Sequence, residues 1–221
     1  MGLSALNKIR KIKEQNTGGA RYLKVDDGKR VKLRFLQELD EDSDNYSEKN
    51  GQPLIITEHQ PIDKLGYLRK FQCTIEDGNC YGCEQAAKVD KKWKGKGALY
   101  ANVLVTDPKE DEPYVAIFRT GVYEKNDVLN QMIFVAEEYG SITNRDFYYS
   151  RSGTGMKTVY TLNSLDPKEH DVEQYELFDL ESLVKKVPYE EQEAYASPAD
   201  DAEEKPAVTE EVTSKDMSDE W

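Results

Sequence analysis

The longest apolar run of the chain is Ala98-Leu99-Tyr100-Ala101-Asn102-Val103-Leu104-Val105-Thr106. It is rich in β-formers on both parities, which predicts a strand covered on both faces. Asp107-Pro108 through Pro113 turns the chain, and Tyr114-Val115-Ala116-Ile117-Phe118-Arg119 returns as a second strand. Asp146 to Arg151, a Gly153-Thr154-Gly155 turn and Lys157 to Leu162 give a further hairpin signal. Tyr22 to Val25, the turn Asp26-Asp27-Gly28 and Arg30 to Leu36 give another. Its second strand sets Val31, Leu33 and Phe35 on a core face and Arg30, Lys32 and Arg34 on a basic outer face. Leu54-Ile55-Ile56 is a short strand after an acidic loop from Glu38 to Glu48.

Helical spacing is rarer. Asn126 to Tyr139 carries Val128, Leu129, Met132, Ile133, Val135 and Ala136 and predicts one helix. Residues 2 to 16, with Leu3, Leu6, Ile9 and Ile12, predict a basic amphipathic helix cut off by Gly18-Gly19. Leu177 to Val187 predicts a last short one. Phe35, Phe134 and Phe147 are expected in the core. The fold class is therefore mainly β with a few helices. A small Greek-key barrel of the OB type is the leading arrangement. Three parts follow: a basic arm over 1–19, a core over 20–187 with an insert at about 55–97, and a tail over 188–221. The tail is Glu, Asp, Ala, Ser and Pro, too poor in apolar groups to order itself.

Charge sharpens this division. The net charge of −13 argues against a nucleic-acid partner at first sight. Residues 1–165, however, hold 25 basic against 24 acidic side chains, whereas residues 166–221 hold 5 against 19. The first 34 residues alone hold ten Lys and Arg against three acids. A second block is Lys88, Lys91, Lys92, Lys94 and Lys96. Such blocks are either solvated faces or footprints for phosphate backbones. No apolar run is long enough to span a membrane and no signal-like region follows the N-terminus, which predicts a cytoplasmic protein.

All three cysteines and one of two histidines fall in one segment, His59, Cys73, Cys80 and Cys83, spaced H-x13-C-x6-C-x2-C. Four nitrogen and sulfur donors suit one structural zinc ion and leave no position for a catalytic water. The pair Cys80 and Cys83 brackets a Tyr81-Gly82 turn. A redox pair is the competing reading, but such motifs open a helix after a buried strand; here Asp77-Gly78-Asn79 precedes the pair. Plain small hydrophobes are the third reading.

Aromatic and basic residues interleave repeatedly: Tyr67, Arg69, Lys70 and Phe71; Tyr81; Lys92, Trp93 and Lys94; Phe118 and Arg119; Tyr148, Tyr149 and Arg151. Unpaired bases stack on aromatic faces while cations follow the phosphates, so the pattern predicts a groove for single strands without sequence readout. Phe118 and Arg119 alternate along one strand, so at most one faces a given groove. Arg34, on the basic outer strand face, is a further candidate contact to the single strand. Trp221, at the end of the acidic tail with Asp216, Asp219 and Glu220, presents itself as an anchor for a partner's pocket.

The zinc segment, Tyr100-Ala-Asn-Val-Leu-Val before Asp107-Pro108, and Val115-Ala-Ile-Phe-Arg119-Thr-Gly121 resemble the core of the T-even-type phage single-stranded DNA-binding (helix-destabilising) proteins. The resemblance covers roughly residues 20 to 165, with the acidic tail in the matching place. It implies an OB fold with an inserted zinc subdomain and a basic arm for self-association. It also implies a tail that recruits replication proteins (polymerase, helicase loader, primase or recombinase), all in the cytoplasm of an infected host. Tyr100, Phe118 with Arg119, and Tyr160 would fall at groove positions. Two features depart from the pattern: the short Cys73–Cys80 spacing, and an arm whose Lys8-Ile-Arg10-Lys11-Ile-Lys13 lacks a following Ser or Thr. The expected function is non-enzymatic single-stranded DNA binding in replication, recombination and repair. The alternative is a zinc-ribbon regulator of duplex DNA or RNA. An enzyme is disfavoured because no His-x-Glu accompanies the cysteines.

Overall fold

The computed structural model describes residues 20–196, apart from 64–65, 68, 89–90 and 109. The basic arm and the tail residues Asp216, Asp219, Glu220 and Trp221 lie outside the described residues. The strands are β1 (Arg30–Phe35), β2 (Leu54–His59), β3 (Ile62–Asp63), β4 (Gly66–Tyr67), β5 (Phe71–Gln72), β6 (Lys96–Thr106), β7 (Tyr114–Val122), β8 (Arg145–Ser152) and β9 (Val159–Pro167). The helices are α1 (Tyr81–Lys88), α2 (Asp127–Tyr139) and α3 (Tyr189–Ala196).

The apolar run of β6 is the spine. One edge pairs continuously with β7, from Gly97 opposite Val122 to Val105 opposite Tyr114. The other edge is shared. β2 takes its first half, ending with Leu54 opposite Tyr100, and β1 takes the second, beginning with Phe35 opposite Val103. At the seam between them the Asn102 amide donates to Gln37 Oε1 at 2.9 Å, so a side chain stands in for a strand. Gln37 Nε2 in turn donates to the carbonyls of Asn50 and Gln52. The seven-stranded antiparallel sheet runs β5-β2-β6-β1-β8-β9 with β7 on β6. It is open: among the described residues β7 and β9 do not pair, and α2 packs beside both.

Each face of the sheet is covered, as the double-sided apolar run requires. Leu99, Ala101, Val103 and Val105 join β1, β7, β8 and α2 in the larger core. There Phe35 meets Phe118 and Phe147 edge-on at 5.4 and 5.3 Å. On the opposite face Ala98, Tyr100 and Ile117 are covered by Leu180 and Val184 of the chain that follows β9. Asn102 secures this strap, exchanging hydrogen bonds with both the amide and the carbonyl of Phe178.

Several expectations need correction. Tyr22 to Val25 does not pair with β1; Tyr22 bridges Ile117 in parallel, and β1 lies between β6 and β8. The Asp-Gly turn forms, with Gly28 at φ 68°. Burial of Val31, Leu33 and Phe35, rather than turn chemistry, selected the partner strand. Arg34 is not on an outer face: it is buried, ion-paired to Asp146 at 2.7 Å, and donates to the carbonyls of Thr143 and Lys168. Phe134 is half exposed instead of buried. Leu177–Val187 contains only one 3-10 turn, Glu181–Leu183. Regular structure also extends beyond Pro188, because α3 finds a platform that composition could not show. The helix α2 agrees with its pattern and is capped by Asn126, whose side chain accepts from Val128 and Leu129.

Candidate metal centre and basic cleft

The cysteine segment folds between β2 and β6. His59 ends β2, Cys73 follows β5, Cys80 immediately precedes α1, and Cys83 lies in its first turn. The expected Tyr81-Gly82 turn is thus the start of a helix, with a 3-10 turn before it rather than a strand. The four donor atoms lie within 4.8 Å of one another. His59 Nε2 is 3.4 Å from Cys80 Sγ and 3.6 Å from Cys83 Sγ. Cys73 Sγ is 3.8 Å from Cys80 Sγ and 3.5 Å from Cys83 Sγ. A tetrahedral ion with metal–sulfur bonds of about 2.3 Å and metal–nitrogen bonds of about 2.0 Å needs edges of roughly 3.5–3.8 Å. The cluster therefore fits one metal ion of zinc's size, held by His59, Cys73, Cys80 and Cys83.

The surroundings prepare the donors. His59 is fully buried, and Nδ1 donates to the Trp93 carbonyl at 2.7 Å, which leaves Nε2 free to ligate. Burial holds its pKa below the ordinary value, favouring the neutral ring. Phe71 stacks on the imidazole at 5.4 Å. Burial, then the contact with Cys73 and the charge on Cys80, pushes the Cys83 thiol up to about 12. Burial also opposes ionisation of Cys80, but backbone contacts at Thr74 and Cys83 outweigh it and draw that pKa down. A bound cation removes this conflict between neighbouring thiolates.

Gly82 is where the backbone must approach closely. A methyl group there would sit 2.5 Å from His59 Cγ. Gly82→Ala is accordingly expected to displace the imidazole and weaken metal retention by about 10- to 100-fold, as loss of a ligand-orienting contact does. A chromogenic chelator competition measures it; unchanged affinity would show that the ring moves without cost.

The predicted aromatic wall of this insert is partly covered: Phe71 is buried, and Tyr81 and Trp93 are each partly buried. Tyr81 meets Trp93 edge-on at 5.6 Å. Its amide donates to Gln192 Oε1 at 2.8 Å and its hydroxyl to Glu193 at 3.2 Å. Arg69 lies over the Tyr195 ring, and Tyr189 donates to Glu84. The acidic helix α3 thus covers much of this surface. Phe71, Phe118 and Tyr100 are fully buried and are no stacking platforms. Lys92 and Lys94 are exposed, and Lys70 is half-buried. The Tyr67 backbone lies on β4; its side chain is outside the described set.

Other predicted residues converge elsewhere. Arg119, Arg151 and Tyr160 line one cleft of about 660 Å³ between β7, the β8–β9 hairpin and residues 23–26. Lys24, Lys125 and Tyr123 line it too; Tyr22 with Lys24 and Tyr123 with Lys125 carry the same two-residue interleaving as Tyr149 with Arg151. Asp26 and Asp127 are the carboxylates of the lining. Tyr160 is 40% exposed and stacks on Tyr149 at 5.5 Å with a 5° tilt. Arg151 donates one guanidinium N–H to the Val25 carbonyl, while its buried Nε has no hydrogen-bond partner among the described residues. Tyr148 is half-buried beneath Arg30 and is not part of the lining. No known family, curated protein or solved structure matches the chain. Among the described residues no helix is long and apolar enough to cross a membrane.

Proposed function

We propose that the protein binds single-stranded nucleic acid, with single-stranded DNA as its ligand, and performs no chemistry on it. The observation that carries this reading is the cleft. Four cations (Lys24, Arg119, Lys125 and Arg151) outnumber two carboxylates around the half-exposed Tyr160. Phosphates pair with such cations and an unpaired base stacks on such a ring. A cleft of this volume takes splayed bases rather than a duplex. The metal reading is one structural zinc ion in the His59, Cys73, Cys80 and Cys83 cluster, whose four protein donors fill a closed shell. On this reading the sheet is an opened relative of the OB barrel, and the tail with Trp221 serves replication partners, in keeping with the family resemblance.

Titration with oligo(dT), followed by tyrosine and tryptophan emission, tests the proposal. Quenching is expected with a log–log salt slope of about −3, since each of four neutralised phosphates on a single strand contributes about −0.7. Tighter binding to duplex than to oligo(dT) would instead support a duplex-reading regulator.

A further inference from the structure

Glu58 is a buried carboxylate that neither the metal centre nor the cleft uses directly. It is 3% exposed and lies on β2 next to the ligand His59. Arg119 pairs with Oε1 through a guanidinium N–H. Lys70 approaches Oε2 at 3.3 Å, and the Tyr100 hydroxyl donates to the same oxygen. That hydroxyl also accepts from Arg119 Nε at 3.0 Å and from Lys70 at 3.1 Å. Arg119 and Lys70 are therefore each held at two points, by the Glu58 carboxylate and by the Tyr100 hydroxyl. Arg119 reaches the cleft from this knot with its side chain 36% exposed.

A lone carboxylate beside an anion-binding cleft weakens anion binding by Coulomb repulsion. Its retention here needs another role, and the geometry supplies one. Arg119 leaves the middle of β7 with a long, rotamer-rich stem, which costs entropy to hold in one direction. The Glu58 and Tyr100 contacts fix its fork from behind. We propose that Glu58 is a positioning residue for the cleft, aiming Arg119 at a phosphate of the bound strand, and that its place beside His59 links the metal-binding segment to that aim. The inference rests on the nucleic-acid reading above.

Two variants of the full-length protein test it in oligo(dT) titrations over a range of salt, with zinc content measured for each. Glu58→Gln removes one negative charge near the cleft. If Glu58 were only a buried counter-ion, affinity would rise and the salt slope would steepen. If it positions Arg119, affinity falls roughly tenfold, the loss of one charge-assisted contact, and the slope becomes shallower by about 0.7. Tyr100→Phe leaves every charge in place and removes only the shared hydroxyl. It is expected to weaken binding in the same direction at full zinc content, and it decides the matter where Glu58→Gln folds poorly. Unchanged or tighter binding by Tyr100→Phe, or tighter binding by Glu58→Gln, overturns the role of Glu58. Absence of binding by the wild-type chain overturns the nucleic-acid reading itself.

Discussion

Cys80→Ser is expected to strip the protein of stoichiometric metal and to lower its stability by more than a surface substitution would. Cys80 is 1% exposed, and its Sγ contacts both His59 Nε2 and Cys73 Sγ. Serine cannot supply a thiolate there. Structural zinc sites contribute on the order of 10 kcal/mol of binding free energy at neutral pH. Even partial loss of that is large against a total domain stability of about 5–15 kcal/mol. A loss of about 4 kcal/mol moves the midpoint of a chain this size by roughly 8–16 °C. The damage should also spread. Phe71, Cys80, Val187 and Ala196 share one small core, so α3 rests on the metal segment. Thermal melts and zinc assays, each with and without chelator, measure the effect. Identical melts for the variant and the wild type would mean that the cluster is a set of ordinary buried thiols.

The second large effect is expected at Tyr160. Its ring is offered to the cleft on a backing made by Tyr149, whose own pKa is raised by burial. Tyr160→Ala removes the exposed platform and leaves the buried partner in the core. Base stacking contributes about 1–3 kcal/mol per base, so oligo(dT) affinity should fall by roughly 5- to 150-fold. Phe134→Ala is the matched control. Phe134 is 51% exposed on α2 and does not line the cleft. Equal losses from the two substitutions would move the binding surface away from the cleft.

The pattern of legibility follows from the range of the interactions. Strands β6 to β9, helix α2 and the clustering of His59, Cys73, Cys80 and Cys83 were readable because their signals are local: period, caps, turns and spacing. The partner of β1 was not, since it depends on which edge buries Val31, Leu33 and Phe35. Arg34 has the alternation of an outer residue, yet Asp146, more than a hundred positions away, draws it inside. Interleaved aromatics signalled a groove, but several of those rings fill cores or lie under α3, because alternation along a strand cannot say which face another segment will cover. The cleft itself joins residues from four separated stretches, and no window of sequence contains it.

The shared edge of β6 bears on the cleft. Its ladder with β7 is unbroken, while the opposite ladder changes hands at Ala101 and Asn102, where Gln37 bridges the gap. One side of the spine carries a single partner and the other is divided between two. Arg119 stands on β7 across from the β2-bearing half, and Arg151 and Tyr160 belong to strands that extend from the β1-bearing half. The two walls of the cleft thus belong to opposite halves of one sheet, and residues 21–29 span them, bonded by backbone to Ile117 of β7 and to Arg151 of β8.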